Sequence, residues 1–190
     1  MATRRPSGAL HRGLARDAAA LLLSATALIT GGCQPSHADP VATNATVLRV
    51  VDGDTITVAA DQRGRLKVRI IGLNTPETVR KNWSVGCGGP QASAYAKATL
   101  ADQRVQLVTD PTQDATDRYG RTLAAVILSD GRNYAVEAVR QGYGKAYIYG
   151  HKPSRWAAEI AAAENQAKAT QAGLWGAPCF GQVDSIPLGQ

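Results

Sequence analysis

From Arg63 to Ile70 the chain alternates: Arg63, Arg65, Lys67 and Arg69 fall on one side, and Leu66, Val68 and Ile70 on the other. A period of two marks a strand with one buried and one wet face. Such a strand needs an apolar layer beneath it and sheet neighbours along its edges. Upstream, Thr46–Val51 and Thr55–Ala60 are rich in β-branched residues and meet around Asp52-Gly53, a strong hairpin signal. Arg63-Gly64 supplies the next turn, so three consecutive strands are predicted.

Further along, Val105–Thr109 and Leu123–Leu128 read as a fourth and fifth strand. Pro90 opens a helix reaching about Ala101, with proline at a tolerated first-turn position. Asn133–Gln141 forms a short helix stopped by Gly142. Ser154 reads as the N-cap of a last helix running to Gly173, with Trp156, Ile160, Ala163, Ala167 and Leu174 spaced for one buried face. Five short strands interleaved with three helices predict an α+β fold, a five-stranded OB-fold β-barrel with three α-helices, whose strand 2–3 face commonly binds nucleic acid.

Residues 1–38 read as a signal peptide. Arg4, Arg5, Arg12 and Arg16 precede the apolar run Ala18–Thr30, which is shorter than the roughly 20 residues a membrane span takes. Two exits fit. Ser36-His37-Ala38 is a small-x-small cleavage site; Gly31-Gly32-Cys33 resembles a lipoprotein site with Cys33 acylated. Soluble secretion is the expectation, with a lipid-anchored surface protein as the alternative. Residues 39–45 form a polar lead, 46–176 the domain and 177–190 a C-terminal tail. Of 190 residues, cleavage after Ala38 leaves 152, enough for one well-cored domain. Seventeen basic and 14 acidic residues remain, a net charge of +3 that permits a polyanionic partner without requiring one. Cys87 and Cys179, an even pair in an exported chain, read as one disulfide.

The cationic strand runs into Asn74-Thr75-Pro76-Glu77, and the chemistry gathers there. Asp54 starts a strand after a tight turn, and Pro76 holds Thr75 extended so that its carbonyl can face a cation. With Asn74 these are hard oxygen donors suited to Ca²⁺. The only histidine after residue 38 is His151, which argues against two-imidazole chemistry, and the two remaining cysteines lie in no zinc-binding spacing. Acid–base work then falls to carboxylates, tyrosines or metal-bound water, and Glu77 is the best-placed carboxylate. Arg69 and Arg121 each offer a fork for a phosphate. Tyr119, Tyr147 and Tyr149 offer faces on which bases stack, the last two on one side if residues 146–149 are extended. Taken together, the set suits phosphodiester hydrolysis.

At these residues the chain resembles the thermonuclease (staphylococcal nuclease) family. The matching pieces run colinearly: Asp52-Gly53-Asp54-Thr55, Val68-Arg69, Leu73 to Thr78, Gly89 to Ala94, Thr116 to Ala124, Val139 to Ala146, and Gly173-Leu174-Trp175. The resemblance implies Ca²⁺-dependent cleavage of DNA and RNA to 3′-phosphorylated products. It implies Asp54, Asn74 and Thr75 as metal ligands, with Asp52 an acid beside them. It implies Glu77 as general base, Arg69 and Arg121 as phosphate-binding catalytic residues, and Arg118, Tyr119, Tyr147 and Tyr149 as nucleotide contacts. Asn74 stands where the family's best-studied members carry aspartate, which lowers the expected calcium affinity and leaves the metal's identity open. A monomer without an obligate protein partner is expected. The competing reading is a non-catalytic OB-fold nucleic-acid-binding or adaptor module; retention of Glu77 together with Asp54 speaks against it.

Overall fold

The computed structural model describes residues 41–188. The expected signal peptide and Cys33 lie outside them. The strands are β1 (Ala45–Asp52), β2 (Thr55–Ala60), β3 (Gly64–Ile70), β4 (Leu73–Asn74), β5 (Arg104–Val108), β6 (Thr122–Ile127) and β7 (Lys145–Ala146). The helices are α1 (Gly89–Leu100), α2 (Tyr134–Arg140) and α3 (Ala157–Ala169).

Five strands close a barrel in the order β1-β2-β3-β6-β5. Both early hairpins are antiparallel, with Val50 opposite Ile56 and Thr55 opposite Arg69. β3 pairs parallel with β6, Val68 opposite Thr122, and β5 returns antiparallel to β1 to close the ring. The alternation along β3 puts Val68 and Ile70 in the core, where they meet Val47, Ile56, Val58, Val105 and Val126. Two register shifts in β1 bend it, as bulges do at barrel corners. The fold is the α+β, OB-type barrel with three helices that the sequence predicts.

Helix α1 packs against β1, and α2 lies between β6 and α3. Asn133 caps α2 by accepting the Ala135 N–H. The predicted Ser154 cap of α3 is not found: the helix starts at Ala157, and Trp156 at its N-cap makes no side-chain capping bond. Asp110 from a distant loop takes the Arg155 N–H at 2.7 Å instead, so the entrance to α3 receives its acceptor from another segment. The strand that carries Arg69 stops at Ile70 rather than running on to Asn74; after a turn at Ile71-Gly72, β4 pairs with β7 and ties this segment to the chain before Tyr147. The strand at β7 is only two residues long, and Tyr149 opens a 3₁₀ turn rather than continuing it.

Candidate active site

The turn between β1 and β2 is fixed from below. Tyr134, fully buried, donates its hydroxyl to the Gly53 carbonyl at 3.0 Å and stacks on Tyr95, which stacks on Tyr143. A Cβ on Gly53 would lie 2.6 Å from Thr75, so only glycine lets this turn pack against the strand end opposite. The consequence is that Asp54 and Thr75, 21 residues apart, touch: the Thr75 N–H donates to Asp54 Oδ2 at 3.0 Å. Asp54 is buried, and its Oδ1 accepts the Thr55 hydroxyl at 2.9 Å. Burial first, and then the negative charge of Asp54, push the neighbouring Asp52 carboxyl up to about 6.

Arg69 leaves the wet face of β3 at this point. Its Nη1 donates to the carbonyls of Ile70 (2.9 Å) and Leu73 (2.6 Å), which clamps one edge of the guanidinium to backbone. Its Nη2 lies 3.2 Å from Asp54 Oδ2 and 3.3 Å from Asn74 Oδ1. The contact to Asn74 is long for a charge-assisted bond, so it is the contact an incoming anion most readily replaces.

Arg121 is held by a residue that sequence reasoning passed over. Asp117 Oδ2 accepts from Arg121 Nε at 2.6 Å and lies 2.6 Å from Nη2. Its Oδ1 accepts the backbone N–H groups of Tyr119 (2.9 Å) and Arg121 (3.0 Å), so one carboxylate folds the 117–121 turn and aims the arginine. Arg121 Nη1 also reaches the Thr55 hydroxyl at 3.3 Å. Two of its five N–H bonds remain without a partner among the described residues. An aspartate four residues before an arginine, across a Tyr-Gly turn, was the available signal.

Glu77 follows Pro76. Its Oε1 accepts the N–H groups of Thr78 (2.9 Å) and Val79 (2.8 Å), which orients the carboxylate and leaves Oε2 without a protein partner among the described residues.

These side chains line one groove of about 720 Å³: Asp52, Asp54, Arg69, Asn74, Thr75, Glu77, Arg118, Tyr119 and Arg121 all border it. An adjoining hollow of about 360 Å³ shares Arg69, Asn74, Arg118, Tyr119 and Arg121 and adds Tyr147 and Tyr149. Every substrate-contact candidate from the sequence therefore borders the same cleft. Tyr119 is 68% exposed and lies between two guanidinium groups, Arg118 at 4.8 Å and Arg121 at 5.4 Å from its ring centre. The Arg69 guanidinium lies 5.9 Å from the Tyr147 ring.

Among the described residues no three His, Cys, Asp or Glu side chains gather as a metal-binding group. The oxygen donors on offer are the carboxylates of Asp54 and Asp52, the Asn74 amide and the Thr75 backbone carbonyl. Two adjacent carboxylates, one pushed toward its neutral form by burial and then by the charge of the other, fit one hard divalent cation held by few protein ligands and completed by water.

Cys87 and Cys179 are joined as a disulfide, with Cα atoms 5.7 Å apart. The bond brings the segment after Cys179 to the cleft, which Val183, Asp184 and Ser185 line together with Arg80 and Trp83. The sequence predicts that this disulfide ties the loop after Glu77 to the 177–190 tail, but not that the tail lines the cleft. No helix among the described residues is long and apolar enough to cross a membrane.

The sequence profile of the staphylococcal nuclease homologue family matches residues 67–177. The chain is 38% identical over 129 residues to the thermonuclease of Staphylococcus intermedius, spanning 68% of this chain and 74% of that one. It is 37% identical over 130 residues to the thermonuclease of Staphylococcus hyicus, spanning 68% and 73%. It is also 34% identical over 133 residues to endonuclease YhcR of Bacillus subtilis, spanning 67% of this chain and 11% of that much longer one.

Proposed function

The chain belongs to the staphylococcal nuclease family, and from that premise we propose that it is an exported, metal-dependent nuclease that hydrolyses phosphodiester bonds of DNA and RNA. One observation carries the reading: two arginines, a buried aspartate and a glutamate with one uncommitted oxygen border a single groove. A phosphodiester has one negative charge and two non-bridging oxygens, and its hydrolysis adds charge to that phosphorus centre. Fixed donors aimed at those oxygens lower the barrier without reorganising during the reaction.

Arg69, anchored by two backbone carbonyls, turns Nη2 to a non-bridging oxygen and gives up its long contact to Asn74. Glu77, with Oε1 held by two amides, accepts a proton from the attacking water at Oε2. Arg121, braced by Asp117, neutralises the charge that develops on the phosphoryl oxygens and the leaving group. Tyr119, Tyr147, Tyr149 and Arg118 hold the adjoining nucleotide in the neighbouring hollow. Asp54, Asn74 and the Thr75 carbonyl would hold Ca²⁺ with Asp52 beside them, and the ion would supply positive charge against the scissile phosphate. Asn74 contributes an oxygen without a charge, so few anionic ligands hold the ion and binding is weak. Such binding suits a protein working outside the cell, where calcium is plentiful and a disulfide persists.

The test is a gel assay of purified protein on plasmid, single-stranded DNA and RNA against a series of Ca²⁺, Mg²⁺ and Mn²⁺ concentrations with an EDTA arm. Cleavage in millimolar-range calcium, stopped by EDTA, with ends that polymerase extends only after phosphatase treatment, is the expected result. Retention of nucleic acid without cleavage under every metal supports a binding module instead.

A further inference from the structure

The groove does not end at Glu77. It also takes in a wall of Arg80, Trp83 and the Val183–Ser185 segment, none of which borders the hollow that holds Tyr147 and Tyr149. The wall is a built structure. Besides the disulfide, Trp83 bridges to Pro187, the Ser84 N–H donates to the Ile186 carbonyl at 2.8 Å, and the Leu188 N–H donates to the Asn82 carbonyl at 2.8 Å. Val183 is buried behind it, and the Gly86 N–H donates to the Glu77 carbonyl at 2.8 Å, tying the wall to the catalytic carboxylate's own backbone.

The wall's chemistry differs from that of the groove floor. The Arg80 guanidinium lies 3.5 Å from the centre of the Trp83 ring, covering one face of an indole that is only half buried. Arg80 and Asp184 offset one another in charge, so the wall offers little net attraction to a second phosphate. It presents a stacked indole–guanidinium plane with a donor and an acceptor side chain nearby, and that combination takes the face and edge of a nucleobase. A strand with its phosphate at Arg69 and Arg121 carries a nucleotide on each side. One side meets Tyr119, Tyr147 and Tyr149, and the other points past Glu77.

We propose that Trp83, with Arg80, forms a second base-binding subsite for the nucleotide on the Glu77 side of the scissile phosphate. The proposal rests on the phosphodiester reading of the groove. It makes the protein a reader of two bases rather than one, with affinity that rises when the substrate extends past Glu77.

Two measurements test it. In the first, steady-state kinetics compare a single-stranded octanucleotide with a phosphodiester that carries one nucleoside and a small alkyl group. Trp83→Ala raises KM for the octanucleotide roughly tenfold and leaves kcat/KM for the one-base diester unchanged. Trp83→Tyr, which keeps a stacking face, restores most of the loss, and Trp83→Leu, which only fills space, does not. In the second, a phosphorothioate octanucleotide is titrated in EDTA while tryptophan emission is followed. The chain has three tryptophans, and the quenching present in the wild type and missing from Trp83→Phe reports Trp83 alone. Equal losses on both substrates, equal rescue by Tyr and Leu, or quenching unchanged in Trp83→Phe overturns the subsite while leaving the nuclease reading intact. Trp83-dependent quenching in a protein that cleaves neither substrate supports the subsite and overturns the nuclease reading.

Discussion

Replacing Asp117 by asparagine tests how Arg121 is aimed. The amide has the shape of the carboxylate, and its Oδ1 still accepts the N–H groups of Tyr119 and Arg121 at 2.9 and 3.0 Å. Lost are the two 2.6 Å contacts to Arg121 Nε and Nη2, which now face a donor. Removing one partner of a fully buried pair costs about 3–5 kcal/mol and of an exposed pair about 0–1 kcal/mol. The Asp117 side chain is 9% exposed and that of Arg121 21%, which places the cost between these limits, at about 2 kcal/mol. In a domain of this size that lowers the thermal midpoint by roughly 4–8 °C. Burial pushes the Asp117 carboxyl up, but the Arg121 N–H, the Arg121 side chain and the Tyr119 N–H outweigh it and hold the group below its ordinary value. Because the folded value is depressed, the stabilisation is complete above the unfolded value of about 3.9 and is lost as pH falls through the folded one. The stability gap between wild type and Asp117→Asn should therefore be constant near neutrality and close in acid. Turnover should fall about 10- to 100-fold with KM little changed, because an unbraced Arg121 samples unproductive rotamers. Urea denaturation across pH and steady-state kinetics on one oligonucleotide read both effects. Turnover within twofold of wild type would refute the bracing role.

Three further outcomes follow from the same geometry. Tyr134→Phe leaves the Gly53 carbonyl without its buried donor and should cost about 1–2 kcal/mol, read as a lower urea midpoint at unchanged slope. The Cys87–Cys179 bond closes a separation of 92 residues, for which chain entropy gives about 4–5 kcal/mol as an upper figure. Reduction and the double Cys→Ser variant should lower the thermal midpoint by the same amount, and unequal shifts would mean the thiols act differently. Asn74→Asp places a third carboxylate near Asp54 and Asp52 and within reach of Arg69 Nη2; it should lower the calcium concentration for half-maximal activity, read by metal titration.

Local patterns carried much of this site. The β3 alternation and the Asp52-Gly53 hairpin are short-range features found at the stated residues; the Asn74–Glu77 stretch is not a turn but the end of β4 followed by irregular chain, the turn itself lying at Ile71-Gly72. The sequence does not encode legibly which distant segment completes each feature. The parallel pairing of β3 with β6, which brings Arg121 to Arg69, joins residues about 50 apart. The two-residue strands β4 and β7 are too short to show a period. Ser154 has the chemistry of a cap, yet a carboxylate 45 residues away does the work at that helix end. The segment after Cys179 carries no periodic signal; the disulfide and the backbone pairing of residues 82–84 with Ile186–Leu188 bring it to the cleft.

In the proposed mechanism Glu77 activates water in a groove whose arginines hold the phosphate. Glu77→Gln keeps an Oε1 that can accept the Thr78 and Val79 amides, so folding and substrate binding should persist. The decisive measurement is single-turnover cleavage of a labelled oligonucleotide beside its dissociation constant in EDTA, for wild type and Glu77→Gln. A rate about 10²- to 10⁴-fold lower with affinity changed less than about threefold is predicted; an unchanged rate, or a loss wholly accounted for by weaker binding, would contradict it.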